Sequence, residues 1–160
     1  MASPSKVEAR PETVETAEKS LYDRDFYSWA MSQAALIRER RFDEIDIENV
    51  AEEIETLGRS EASALKSTFR ILLMHLLKWQ YQPALRSKSW RNTIGRERTN
   101  FEEILDDNPG LKPRRQELFA KAYRVARKDA ARETDLPLDT FPPQSPYSLE
   151  QALDETFLPD

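Results

Sequence analysis

Apolar residues in this chain recur at helical spacing rather than in the alternation of β-strands. In five stretches they fall three or four residues apart, which places them on one face of a helix. No β-hairpin signal and no internal repeat interrupts this pattern. The pattern therefore predicts an all-α fold, a single helical bundle of about five helices. The stretches cover residues 21–40, 47–57, 62–79, 90–105 and 113–134.

Glycine, serine and proline residues mark where these helices should begin and end. Gly58 follows the second stretch at a typical C-cap position, and Ser60 could cap the third, so helices two and three should be antiparallel neighbours. Ser87 or Ser89 can cap the fourth helix. Pro113 suits the first turn of the fifth.

The two ends of the chain differ from the helical middle. Residues 1–19 are polar and lack an apolar stripe, which predicts a flexible lead-in before one helical domain at 20–160. Residues 135–160 hold five of the ten prolines with scattered large apolar residues. They predict an extended arm packed on the bundle, with a short helix capped by Ser148.

Two residue counts restrict the chemistry. The chain has no cysteine, which excludes disulfides, thiolate nucleophiles, zinc fingers and iron–sulfur ligation. His75 is its only histidine, so any imidazole base or ligand within one subunit must be this residue. There is no apolar run long enough for a membrane span and no hydrophobic export core, so we expect a cytoplasmic protein that does not enter the membrane.

His75 could be a hydrogen-bonded core residue or the centre of a site. Glu48, Glu52 and Glu55 share a face of the second predicted helix, and in the antiparallel arrangement one of them could meet His75 and hold a divalent metal. The Glu-x-x-His spacing of di-iron bundles is absent, and such glutamates more often form a solvated face, here with Arg59. We therefore expect no cofactor and keep a metal as the alternative.

Two other charged residues could take part in catalysis. Arg70 and His75 fit the Arg-x(4)-His spacing of the helical HEPN ribonucleases, although the residue after the arginine is apolar. Glu97 falls between Ile94 and Phe101 on the apolar side of the fourth helix. A buried carboxylate needs a partner. We expect a structural ion pair with Arg86, Lys88, Arg91 or His75, and a general acid or base is the alternative.

The middle of the chain is basic although the whole protein is acidic. Net charge is −5, yet residues 61–100 carry 8 basic and 2 acidic side chains. An acidic protein binds polyanions poorly, which argues against nucleic acid as the partner. Five residues of this segment could instead close the core or form a stacking platform for a ligand: Trp79, Tyr81, Arg86, Trp90 and Arg91.

Three segments resemble the bacterial family known as domain of unknown function 29, common in cyanobacteria and proteobacteria. They are LYDRDFYSWAMSQAALIRERRFDEIDIENVAEEIETLGRSE at the start, LLMHLLKWQYQP with SWRNTI in the centre, and ETDLPLDTFPPQSPYSLEQALDETFLP at the end. The resemblance spans residues 21–159 and implies an all-helical fold without an established activity. With no complete catalytic constellation, we predict a non-enzymatic interaction or accessory protein that binds a protein partner or itself. The alternative is a bundle enzyme centred on His75.

Overall fold

The computed structural model describes residues 20–160, and the predicted lead-in at 1–19 lies outside the described residues. Between residues 20 and 160 the secondary structure is helical, with no strand, which confirms the all-α class. The described chain divides into two compact units, residues 20–53 and 54–160. A single domain at 20–160 stays a prediction. In chain order, the helices α1 to α6 are Leu21–Arg24, Phe26–Arg38, Ile47–Tyr81, Lys88–Asp107, Arg115–Thr134 and Leu149–Leu153.

The first unit begins with two helices where one was predicted. α1 ends at Arg24, and Asp25 separates it from α2. The Asp25 carboxylate accepts a hydrogen bond from the Ser28 backbone N–H at 3.0 Å, as an N-cap does. A side chain that satisfies a free N–H at this point favours a new helix start over continuation, so the prediction of one helix over 21–40 is wrong here.

Polar contacts join α2 to the segment before α3 in the first unit. The indole of Trp29, the one residue classed as buried in this unit, donates to Asp46 at 3.1 Å. The Asp46 backbone N–H in turn donates to the Gln33 side chain at 2.8 Å. The hydroxyl of Tyr22 in α1 donates a hydrogen bond to the carboxylate of Glu53 in α3. These contacts fix the unit around a single tryptophan rather than around a broad apolar core.

α3 is one helix of 35 residues, not the two predicted. It begins in the first unit and continues into the second, so the prediction that its two halves form an antiparallel pair is wrong. Gly58 has no left-handed backbone conformation, and Ser60 lies inside the helix. A glycine in a helix interior costs only about 1 kcal/mol relative to alanine, and strong helix formers on both sides outweigh it.

Replacement of Gly58 by alanine is expected to raise the free energy of unfolding by about 0.5–1 kcal/mol. A Cβ added at Gly58 meets no heavy atom within 4 Å, so only the conformational preference changes. Urea denaturation of Gly58→Ala measures the gain. Gly95→Ala is the matched control, because Gly95 lies within α4 with the same open space. A gain at Gly95 with a loss at Gly58 would contradict the continuous helix.

The core of the second unit lies between α3, α4 and α5. Phe69 of α3 is fully buried, with its ring centroid 5.3 Å from that of Phe101 in α4 and 5.4 Å from that of Phe119 in α5. Aromatic pairs at these separations add stability beyond their buried area. One layer of rings thus connects all three helices. Other fully buried residues of the same core cluster include Leu65, Leu72, Leu73, Leu76, Leu77, Ala126 and Ala130.

The predicted start of α4 is confirmed, and the predicted start of α5 is wrong by two residues. Ser87 caps α4 and accepts a hydrogen bond from the Trp90 N–H at 3.2 Å, so the first of the two predicted caps is the one used. Pro113 does not open α5. It lies in a 3₁₀ helix, Pro109–Arg114, and α5 begins at Arg115.

The arm that follows α5 packs against the second unit through buried apolar residues. α6 begins directly after Ser148, whose hydroxyl accepts from the Gln151 N–H, while the Gln151 side chain accepts from the Ser148 N–H. This capping box confirms the short helix predicted there. The arm residues in the core are Phe141, Tyr147, Leu149 and Ala152.

Arginines from the helices bind the backbone of the arm. Arg98 of α4, only 5% exposed, donates to the carbonyls of Ala152, Glu155 and Phe157 at 2.9, 3.2 and 2.8 Å. Arg127 of α5 donates to two further arm carbonyls. Burial lowers the pKa of Arg98, but an arginine stays charged in proteins. The guanidinium groups of Arg98 and Arg127 therefore join the arm to α4 and α5 through its backbone carbonyls.

Across residues 20–160, no helix has both the length and the apolar character that a membrane crossing requires.

Candidate functional site

His75 lies half-buried in α3, and one of its ring nitrogens forms a hydrogen bond within the same helix. Nδ1 is 2.9 Å from the carbonyl oxygen of Ile71. A carbonyl only accepts, so Nδ1 carries the proton and Nε2 is the acceptor nitrogen. Burial lowers the pKa of His75 below its usual value, and the positive charge of Lys78 acts in the same direction. The lowered pKa favours the neutral form of the His75 imidazole.

Arg70 binds a buried carboxylate on α5. Its Nε donates to Asp129, whose other oxygen accepts from Arg132 at 2.7 Å. Burial alone would raise the pKa of Asp129, but hydrogen bonds and charge from the two arginines hold it below its usual range. Arg70 and His75 lie five residues apart on α3, so at 100° per residue their side chains point about 140° apart around the helix axis. Arg70 is thus held by Asp129 on a different side of α3 from His75.

Glu97 is buried, as its position between apolar residues predicted, but with different partners. One carboxylate oxygen accepts two hydrogen bonds from the neighbouring Arg96, at 2.9 and 2.8 Å. The other accepts from Asn100 at 3.3 Å. The predicted pairing of Glu97 with Arg86, Lys88, Arg91 or His75 is wrong, because a long arginine side chain can bend back over the adjacent residue. The structural ion pair itself is present.

The three glutamates of the predicted metal set do not meet His75. Because α3 is continuous, Glu55 lies 20 residues before His75 on the same helix, about 30 Å away. Glu55 pairs with Arg59 at 3.1 Å, as expected for a solvated face, and Glu48 and Glu52 lie still nearer the start of α3. Within residues 20–160, no three His, Asp or Glu side chains lie close enough together to hold a metal ion.

Three of the five residues predicted to form a stacking platform do lie together. The guanidinium carbons of Arg86 and Arg91 are 5.3 and 5.5 Å from the centroid of the Trp79 ring. Together with Ser87 and Lys88, these residues line a pocket of about 270 Å³. We call this the basic pocket. It lies at the turn between α3 and α4.

The other two residues of that platform have different neighbours. Tyr81 packs edge-on against Phe141 of the arm, with ring centroids 4.9 Å apart. Trp90 lies under the Lys78 ammonium, 4.7 Å from its ring centroid, and Lys78 also pairs with Glu133 at 2.7 Å. Tyr81 and Trp90 therefore do not contribute to the basic pocket.

The first unit exposes many large apolar side chains. Twelve such side chains are exposed within residues 20–160, and seven of them belong to this smaller unit. Tyr27 and Met31 are 74% and 52% exposed and lie one turn apart on α2. At 100° per residue they lie about 160° from the buried Trp29, on the opposite face of α2. The seven are Leu21, Phe26, Tyr27, Met31, Ile37, Phe42 and Ile47.

The first unit, which carries this apolar surface, has a net negative charge. Residues 20–53 carry nine acidic and four basic side chains, a net charge of −5. One of its four arginines, Arg41, forms ion pairs with Glu39 and Glu44 of the same unit. The exposed apolar pair on α2 therefore belongs to a unit whose net charge is negative.

The family described as "Domain of unknown function DUF29" matches residues 21–158. The chain belongs to this family. The resemblance seen in the sequence is thereby confirmed, and the family carries no assigned activity. No curated protein and no solved structure matches the chain.

Sequence reasoning missed two features of this DUF29 chain. Arg98 lies four residues after Ile94 and three before Phe101, the same apolar face that marked Glu97, so its burial could have been found. The exposed face with Tyr27 and Met31 is apolar on the side of α2 opposite the stripe used to predict the helix. A helix apolar on two opposite faces is the signal that was available for it.

Proposed function

We propose that this DUF29 protein is a non-enzymatic interaction or accessory protein of the bacterial cytoplasm, and that its first unit binds a partner protein through α2. One observation carries the proposal: Tyr27 and Met31 form an exposed apolar pair on the face of α2 opposite Trp29. Exposed apolar clusters with polar surroundings mark protein interaction sites. The bacterial and cytoplasmic assignment rests on the family resemblance and the composition.

The charge of the first unit favours a particular kind of partner. Apolar anchors at the centre and complementary charge at the rim are how protein interfaces are built. A net charge of −5 over residues 20–53 is matched by a face rimmed with lysine and arginine. A second copy of the same face would bring like charges together, which costs free energy. The partner we infer is therefore a different protein with an apolar, basic face.

The polar residues proposed as catalytic already have structural partners. His75 binds the Ile71 carbonyl, and Arg70 binds Asp129. Glu97 binds Arg96 and Asn100. Each of these contacts accounts for its residue without a substrate, which supports an interaction role over the enzyme alternative.

The test is site-specific photo-crosslinking from α2, followed by binding to the purified partner. A photoreactive amino acid at position 27 or 31 is expected to capture one protein in the producing cells. The double variant Tyr27→Gln/Met31→Gln is expected to weaken binding of that purified protein at least tenfold, because buried aromatic anchors carry much of an interface's free energy. Binding is also expected to weaken as salt rises.

The matched control is Leu85→Gln/Leu138→Gln, which removes two exposed apolar side chains of the second unit. These residues are 59% and 38% exposed, and this variant is expected to bind the partner like the unchanged protein. Equal losses in both double variants would contradict the proposal. So would crosslinks from position 27 to a second copy of the chain alone.

A further inference from the structure

The basic pocket has a lining of unusual composition. Its five residues supply three cations, one hydroxyl group and one indole ring, and no carboxylate: Trp79, Arg86, Ser87, Lys88 and Arg91. Arginine, lysine and hydroxyl groups are all donors of hydrogen bonds. The pocket therefore offers donors and positive charge to whatever enters it.

Trp79 holds the two guanidinium groups of the pocket in place. Both Arg86 and Arg91 lie within 6 Å of its ring centroid, a distance at which cation–π attraction acts. Arg86 also donates to the Trp79 carbonyl at 2.8 Å and to the Pro159 carbonyl at 3.3 Å. Trp79 itself is only 8% exposed, so the platform is rigid. The guanidinium groups of Arg86 and Arg91 are thus positioned before any ligand binds.

The three cations of the pocket form no ion pair within residues 20–160. None of Arg86, Lys88 and Arg91 has a carboxylate oxygen of residues 20–160 within 4.0 Å. By contrast, Arg70 and Lys78 on α3 both form ion pairs. Three like charges at one pocket repel each other, and a bound anion would relieve that repulsion.

We propose that the basic pocket binds the phosphate group of a small phosphorylated ligand. A phosphate monoester carries up to two negative charges and several acceptor oxygens. The guanidinium of Arg91 and the three N–H groups that Arg86 does not donate to carbonyls can bind these oxygens. Lys88 adds a third charge and Ser87 a hydroxyl donor. The volume of about 270 Å³ lies near the lower end for ligand pockets, so the organic part of the ligand is small.

The experiment is a titration with inorganic phosphate at constant ionic strength, followed by two-dimensional NMR of the tryptophan indole N–H signals. The chain has three tryptophans, so each signal can be assigned by substitution. The Trp79 signal is expected to shift and to saturate. The Trp29 signal is expected to stay in place, because its indole is bonded to Asp46 in the first unit. A linear, unsaturated shift of Trp79 would overturn the proposal.

Arg91→Gln tests whether the pocket residues themselves bind phosphate. The Arg91 side chain donates no hydrogen bond within residues 20–160, so we expect the variant to keep its fold and its phosphate affinity to fall about tenfold or more. Arg38→Gln removes the same charge from the exposed end of α2 and is the matched control. Equal losses in Arg91→Gln and Arg38→Gln would show an effect of net charge alone and overturn the site.

Two further ligands distinguish a free phosphate ester from a lipid headgroup. Glycerol phosphate is expected to bind at least as tightly as inorganic phosphate. Vesicles of phosphatidylcholine with phosphatidic acid are expected to bind no better than vesicles of phosphatidylcholine alone. Binding to the acidic vesicles without binding to glycerol phosphate would overturn the proposal. The Tyr27→Gln/Met31→Gln variant is expected to bind phosphate normally, which separates this site from the interaction face.

Discussion

Replacement of Arg98 by methionine is expected to lower the free energy of unfolding by about 3 kcal/mol and to release the end of the C-terminal arm. Methionine keeps the apolar stem but leaves the carbonyls of Ala152, Glu155 and Phe157 without their donor. A buried acceptor without a partner retains its full cost of desolvation. Urea denaturation measures the free energy, and hydrogen exchange of residues 149–158 measures the release of the arm.

Two further arginine variants separate this effect from a simple loss of charge. Arg98→Lys keeps the charge, but a single ammonium group cannot match the planar fork of a guanidinium, so we expect most of the destabilisation to remain. Arg124→Met removes an exposed arginine of α5 and is expected to change stability by less than about 0.5 kcal/mol. If exchange at residues 149–158 stayed slow in Arg98→Met, the arm would not depend on Arg98.

The composition of the arm explains why arginines hold it. Five of its residues are prolines, which have no backbone N–H and cannot continue a helix. The arm therefore contains only one short α-helix, α6, and the carbonyls of Glu155 and Phe157 lie outside it. Arg98 and Arg127 supply donors from α4 and α5. An extended segment can in this way pack on helices without forming a strand.

Features of the fold that depend on nearby residues were predictable from the sequence. The cap of α4 at Ser87 and the cap of α6 at Ser148 both bind N–H groups three residues away. The amphipathic stripe of α5 follows from helical spacing alone. Gly58 shows the limit of this reasoning, because a glycine is only a weak helix breaker and the outcome depends on the whole of α3.

Contacts between distant residues could not be predicted in the same way. The sequence indicated that Glu97 is buried, but its partner depended on the conformation of one flexible side chain, that of Arg96. The predicted metal set failed for a larger reason. It required Glu55 and His75 to face each other across two helices, and they lie on one.

The two candidate sites differ in how far the sequence could predict them. Arg86, Arg91 and Trp79 were grouped from sequence because they lie within 13 residues around one turn, and the structure brings them together. The exposed face of α2 was overlooked because the stripe through Trp29 already explained the helix. Burial, which decides between the two apolar faces of α2, is not visible in a single sequence.

Replacement of Phe69 by alanine is expected to destabilise the second unit by about 4 kcal/mol, the largest single effect we predict. Phe69 is fully buried and contacts the rings of Phe101 and Phe119, so alanine removes the side chain that joins α3 to both α4 and α5. The cavity left behind adds to the lost apolar burial. Thermal and urea denaturation of Phe69→Ala measure the loss.

Phe42→Ala is the matched control, because it removes the same side chain from a site that is 58% exposed. We expect Phe42→Ala to change stability by less than about 0.5 kcal/mol. Its exposed ring belongs to the apolar surface of the first unit, so any effect of this variant should be on partner binding. A large loss of stability in Phe42→Ala would mean that the Phe42 ring serves the fold of the first unit, which would leave six exposed apolar side chains of this unit for a partner.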